Sequence, residues 1–268
     1  MNKLKALVDK ANEEYGAGTI ILPELGESMI NEKLEVISTG YEPLNNALGI
    51  GGYPKGRIIE IMGEEASGKS TLALHAIAEA QAIGIPCVYI DTEHSLDRDR
   101  ATLIGVNFEK LLISQPDNAE QALDLLDFVI RSKEIGLVVV DSVAALVPKA
   151  EIEGNTGDAT IGILARMMGK TLRKITAPAN KYKVCVIFIN QLRDKLGGFG
   201  FIPQKVGSGG NALKFYSSIR LDMRRIGNNK GKDGVTSTNH KIVVKKNKLS
   251  IPMRIVECHI GKSGIIKK

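Results

Sequence analysis

Residues 63–70 read Gly63-Glu64-Glu65-Ala66-Ser67-Gly68-Lys69-Ser70, "GEEASGKS", and the fold follows from this stretch. Its glycines let the backbone wrap a phosphate with successive N–H groups pointing inward. Lys69 can then reach the β and γ oxygens, and the Ser70 hydroxyl can meet Mg²⁺. The apolar run "RIIEIM" (57–62) before the loop reads as a strand, and "STLALHAIAEAQAIG" (70–84) after it reads as a helix closed by Gly84. A helix start adds its positive dipole end to the same place. Gly63, Glu64, Glu65, Ala66, Ser67, Gly68, Lys69, Ser70 and Thr71 are therefore the candidate nucleotide-binding residues. Such a loop names a triphosphate without saying what its energy drives.

Outward from the loop, strands and helices alternate. "PCVYIDTE" (86–93), "GLVVVDS" (136–142) and "KVCVIFINQ" (183–191) read as strands. "NAEQALDLLDFVIRS" (118–132) and "ATIGILARMMGKTLRKITA" (159–177) read as helices. Nearly continuous apolar strands separated by helices imply an α/β fold with a mostly parallel central sheet covered on both faces. After Gly210 the pattern changes to "FYSSIRLDMRRI", "HKIVVKKNKL" and "MRIVECHI", strands joined by turns, an expected antiparallel extension. Before the core, Leu4, Leu7, Val8 and Ala11 have helical spacing, and "GTIILP" (18–23) reads as a short strand. Residues 1–32 thus form a short helix-strand arm, packed on something else or on its own domain, ahead of a core at 33–268.

Three strand ends carry the remaining chemistry. Asp141 closes an apolar strand where such a sheet holds a carboxylate near the metal, so Ser70 and Asp141 are the candidate Mg²⁺ residues. "YIDTEH" puts Asp91 and Glu93 at the same edge. Glu93 is the candidate to activate water, and Asp91 is the structural support. A fourth strand ends in Asn190 and Gln191, amides placed to contact a γ-phosphate. The 19 residues that follow, "LRDKLGGFGFIPQKVGSGG", make a Gly-rich loop that reads as an output element.

Composition bounds the partners. The chain has 268 residues, 43% hydrophobic and 25% charged, with no Trp. Its net charge is +6, yet residues 224–268 hold twelve Lys or Arg against Asp233 and Glu257, a local +10 that leaves −4 elsewhere. A basic end on an acidic body suits nucleic acid or phosphates, or is a solvated face. Cys87, Cys185 and Cys258 lie singly in apolar runs, as buried reduced residues do, and the four histidines are scattered. No signal core and no long apolar run is seen, which points to a soluble, cytoplasmic protein without a membrane partner.

Beyond these local readings the chain resembles, along almost its whole length, the bacterial and phage RecA recombinases. The residues that carry the likeness are "ISTGYEPLNNALGIGGYPKGRIIEI", "GEEASGKST", "IDTEHSLD", "VVVDSVAALVPKAEIEG", "GDATIGILARMMGKTLRK", "IFINQLR", "GGNALKFYSSIRLDMRRIG" and "VVKKNK". The resemblance implies a RecA-like ATPase core, filament assembly on single-stranded DNA, ATP with Mg²⁺ between adjacent subunits, and pairing and exchange with homologous double-stranded DNA. It makes Glu93 the catalytic glutamate and Gln191 the γ-phosphate sensor, with Lys69 on the phosphates. Lys246 and Lys248 become the lysines that reach a neighbouring subunit's ATP. It assigns the two DNA loops to about 153–160 and 191–211. DNA contacts fall to Ile161, wedged between bases, to Gly162, Gly209, Gly210 and Asn211 through main-chain N–H groups, and to Arg166 and Arg173. The two arginines lie seven residues apart on one helix face. Lys214 and Phe215 would couple the second loop to the subunit interface, and the N-terminal arm would dock on the next subunit.

The sequence departs from the family in three places. Arg100 stands where the family commonly stacks a Tyr on adenine, although a guanidinium also stacks; Asp97 still matches the adenine-contacting acid. The second loop is one residue longer and offers both Phe199 and Phe201 near one family aromatic. The chain stops at "CHIGKSGIIKK", about where the family's C-terminal domain begins. Two other functions use this core: a helicase-like or repair motor, and a silent filament-forming regulator. The first would lack "GGNALKFY" and the "ARMMGKTLRK" helix; the second would lose one of Lys69, Ser70, Glu93 or Asp141.

Overall fold

The computed structural model describes residues 2–22, 34–155, 162–194, 205–231 and 234–266. The chain divides into two compact units, Met1–Glu35 and Val36–Lys268.

In the first unit the expected helix is α1 (Asn2–Tyr15). The strand expected after it is not formed over its described part, residues 18–22. An extended segment closes no ladder without a neighbouring edge. Here the Asn12 side chain takes that part, bonding both the N–H and the C=O of Ile20 at 3.0 Å.

The second unit opens with β1 (Val36–Ile37), α2 (Glu42–Leu48) and β2 (Tyr53–Pro54); β1 and β2 pair as a small antiparallel ribbon. The core then runs β3 (Ile58–Gly63), α3 (Lys69–Ala82), β4 (Cys87–Asp91), α4 (Arg98–Ile104), β5 (Leu111–Ser114), α5 (Ala119–Ser132) and β6 (Leu137–Asp141). It continues through α6 (Lys149–Glu153), α7 (Ile163–Lys181), β7 (Cys185–Asp194), β8 (Lys205–Gly207) and α8 (Ala212–Tyr216). The last strands are β9 (Ile219–Gly231), β10 (Gly234–Asn247), β11 (Ile255–Gly261) and β12 (Gly264–Ile265).

The main sheet has the order β12-β11-β10-β9-β3-β7-β6-β4-β5, with β8 paired to β7 at its end. Strands β9, β3, β7, β6, β4 and β5 are parallel. The antiparallel extension begins one strand later than expected, because β9 lies parallel to β3 and the alternation in direction starts with β10, β11 and β12; β8 also runs antiparallel to β7. Strand alternation sorts the core into two layers. Ile59, Ile61, Leu137 and Val139 face α3 and α4, whereas Ile58, Val138 and Val140 face α5 and α7. The three cysteines are buried and free, as their apolar settings predict. Among the described residues no helix is long and apolar enough to cross a membrane.

Register decides where the chemistry lies. Asp91 of β4 is level with Asp141 of β6, and Gly63 of β3 is level with Gln191 of β7. All four sit at the carboxyl edge of the parallel strands, where open α/β sheets place their ligands.

Candidate nucleotide site and nucleic-acid interface

Strand β3 ends at Gly63, and the loop from there to Lys69 starts α3. Gly63 has no room for a side chain: a Cβ there would lie 2.2 Å from the Met223 carbonyl oxygen. Gly68 adopts φ +92°, and a Cβ on it would meet Ile260 at 2.5 Å. Packing against backbone requires glycine at 63, and the left-handed backbone requires it at 68. Lys69 is buried, its Nζ donating to the Glu64 carbonyl at 2.6 Å and reaching Ser67 Oγ at 3.4 Å. Burial pushes its amine below the ordinary lysine range, against the opposing pull of the Asp141, Glu93 and Glu65 carboxylates. A cleft of about 420 Å³ opens beside the loop, and residues 65–71 line it together with Glu93, Asp97, Arg100, Asp141 and Gln191.

Asp141 is buried and accepts the Tyr89 hydroxyl at 2.6 Å and that of Ser70. Burial raises its proton affinity, and Glu93 and Asp91 push the same way; the two hydroxyls pull it back. Among the described residues no cluster of three or more His, Cys, Asp or Glu could hold a metal. One hydroxyl and one carboxylate, with phosphates and water completing the shell, is the hard-oxygen donor set Mg²⁺ takes in such sites. The residues present fit that ion.

Glu93 follows β4 and its Oε1 receives two hydrogen bonds, one from Ser142 Oγ and one from Gln191 Nε2 at 3.0 Å. Asp91 has the supporting task expected of it. It accepts from the backbone N–H groups of Ser95 and Leu96 and from Gln115, and so fixes the turn that carries Glu93. Asp97 caps α4 by accepting the Arg100 N–H at 3.0 Å, while the Arg100 guanidinium donates to Thr71 at 3.1 Å. Both residues border the cleft.

The second loop has well-defined feet. Leu192–Asp194 and Lys205–Gly207 pair as an antiparallel ribbon continuing β7 beyond Gln191. Asn190, buried one residue earlier, bonds Glu60 at 2.9 Å and both the carbonyl and the N–H of Ser208. Glu60 in turn is paired with Arg220 of β9. Gly209 and Gly210, at φ +75° and +76°, press on α7 and its neighbours; added Cβ atoms would lie 2.7 Å from Val143 and from Ala165. Phe199, Phe201, Ile161 and the first-loop span 156–160 lie outside the described residues.

Gly162, in a left-handed conformation (φ +82°), precedes helix α7, which buries Met168, Leu172 and Ile175. Arg166 and Arg173 are exposed on the opposite side, with the exposed Lys170 between them. The short α8 has Asn211 before it and exposed Lys214 and Phe215 at its end. Lys246 Nζ donates to the carbonyls of Lys214 (2.7 Å) and Phe215 (3.1 Å), and Lys248 reaches the second at 3.5 Å. Neither lysine lines the cleft beside the phosphate loop. Within one chain the site therefore gathers Lys69, Ser70, Glu93, Asp141 and Gln191 and leaves the lysine pair elsewhere.

Sequence reasoning missed several participants. Ser142 and Tyr89 bond the two key carboxylates, while Thr238, His240 and Ile260 of β10 and β11 border the cleft. Tyr89 had a signal, being the one phenol in an aliphatic strand. The β10 and β11 residues had none, since only the sheet order brings them near the loop.

A family model described as the RecA N-terminal domain matches residues 2–266. Protein RecA of Cytophaga hutchinsonii is 51% identical over 262 residues, covering 96% of this chain and 73% of that protein. Protein RecA of Azospirillum lipoferum is 51% identical over 263 residues, covering 97% and 72%. A crystal structure of the RadB recombinase superposes with a TM-score of 0.65 at 22% identity, covering 87% of this chain and 100% of that one, a likeness of fold. With half its residues shared across nearly its whole length, the chain belongs to the RecA family.

Proposed function

We propose that this RecA-family recombination ATPase is switched on by single-stranded DNA, which its two loops hold within a helical filament of like subunits. The observation that carries the reading is the hydrogen bond from Gln191 to Glu93. It joins the residue placed to activate water to the residue from which the second-loop ribbon springs. A shift of that ribbon on DNA moves Gln191 and so changes how Glu93 is held.

The loop N–H groups and Lys69 bind the phosphates of ATP, and Ser70 and Asp141 would hold Mg²⁺. When bound, the ion neutralises charge on the β and γ oxygens. Glu93 orients the attacking water and accepts its proton, with Ser142 and Gln191 fixing the carboxylate. Lys246 and Lys248, held on the carbonyls at the end of α8, act on the ATP of a neighbouring subunit, which makes turnover depend on assembly. Asp97 and Arg100 border the adenine. Arg166, Arg173 and the N–H groups around Gly162, Gly209, Gly210 and Asn211 contact the DNA backbone; Ile161 and one of Phe199 and Phe201 are its apolar contacts. Residues 1–32 serve as the polymerisation arm of the core at 33–268, and homologous duplex is the second DNA partner. Electron microscopy with a slowly hydrolysed ATP analogue and single-stranded DNA tests the assembly. Helical filaments are expected; closed rings or lone monomers would refute it.

A further inference from the structure

We propose that Tyr89 is a positioning residue of the divalent-cation site, its phenol fixing the Asp141 carboxylate in the orientation that serves the metal. This rests on the reading of Asp141 as an acid that holds Mg²⁺. Tyr89 lies on β4 and is 2% exposed, and its Oη gives its single proton to Asp141 Oδ2 at 2.6 Å. Asp141 sits on the adjoining strand β6, two residues beyond the register partner of Tyr89, so the bond runs diagonally between strands. The last torsion of an Asp side chain is soft and roughly two-fold. One donor, Ser70, leaves the carboxylate free to turn; a second donor on Oδ2 locks its plane.

The hydroxyl is what needs explaining. A Phe would fill the same buried volume among the aliphatic neighbours of α3 without bringing a polar atom into the core. A phenol has one proton to donate, and here it faces a carboxylate oxygen that can only accept. Outer partners of metal-holding carboxylates tune affinity in this way, and losing one typically costs 10–100-fold.

The test uses the full chain and its Tyr89→Phe and Asp141→Ala variants, with a fluorescent ADP analogue titrated with Mg²⁺ and again in EDTA. Tyr89→Phe is expected to raise the half-saturating Mg²⁺ concentration about tenfold while leaving binding in EDTA as in the parent. The midpoint of ATP turnover against Mg²⁺ moves by the same factor. Asp141→Ala removes the Mg²⁺ dependence. A Tyr89→Phe midpoint equal to the parent's, with only a lowered melting temperature, would leave Tyr89 a core filler and overturn the proposal. Unchanged Mg²⁺ dependence in Asp141→Ala would overturn the reading of the cation site, and the role of Tyr89 with it.

Discussion

Replacing Glu93 by Gln separates chemistry from binding in this site. Both hydrogen bonds to Glu93 end on the same oxygen, Oε1. An amide oxygen can keep both, so the side chain holds its place and loses only its charge and its capacity to take a proton. Losing a general base costs roughly 10²–10⁴ in rate, which corresponds to about 2.7–5.4 kcal/mol of barrier. The phosphate loop and Lys69 are untouched, and one carboxylate fewer faces Lys69 and Asp141. Nucleotide affinity should therefore stay within a few-fold of the parent. Phosphate release at saturating MgATP and single-stranded DNA measures the first quantity, and titration with a fluorescent ADP analogue measures the second. Turnover within threefold of the parent would remove Glu93 from the proton-transfer step.

Three further outcomes follow from other contacts. Asn190→Ala strips Glu60 and Ser208 of a buried partner and should cost about 2–3 kcal/mol in urea denaturation; a loss under 0.5 kcal/mol would show the link to be idle. Arg166→Ala should lower the slope of log affinity against log salt by about 0.7 for single-stranded DNA of any sequence; an unchanged slope would place Arg166 off the backbone. His240 is buried beside the phosphate loop, which holds its proton affinity below the ordinary histidine range. Below pH 6.5 the unfolded chain then binds the proton that the folded one refuses, so this group lowers stability as pH falls. His240→Gln should flatten that decline by up to about 1.4 kcal/mol per pH unit, as urea midpoints at pH 5.5 and 7.5 would report; parallel declines in parent and variant would exclude it.

The parallel core was legible because burial on both faces leaves unbroken apolar runs, such as Leu137–Val140 leading into Asp141. Edge strand β5 was not legible: Leu112 and Ile113 are exposed at the sheet margin, so no burial pattern marks them. Strands β1 and β2 are two residues each, too short for any periodicity. The N-terminal strand was expected from composition, but a ladder needs a partner edge. At the site, strand ends exposed Glu93, Asp141 and Gln191 individually, because each follows an apolar run. Their connections stayed hidden, since Tyr89 lies 52 residues from Asp141 and Gln191 lies 98 from Glu93. Chain separation of that size is bridged only by sheet order, which local sequence does not encode.

In the proposed function the second loop governs turnover through Gln191 and Glu93. Steady-state phosphate release by the purified chain, with and without single-stranded DNA, measures it directly, with Gln191→Ala beside the parent. A severalfold or greater rise with DNA is expected in the parent and little or none in Gln191→Ala, at equal DNA binding. A parent rate indifferent to DNA, or a variant stimulated as strongly as the parent, would contradict it.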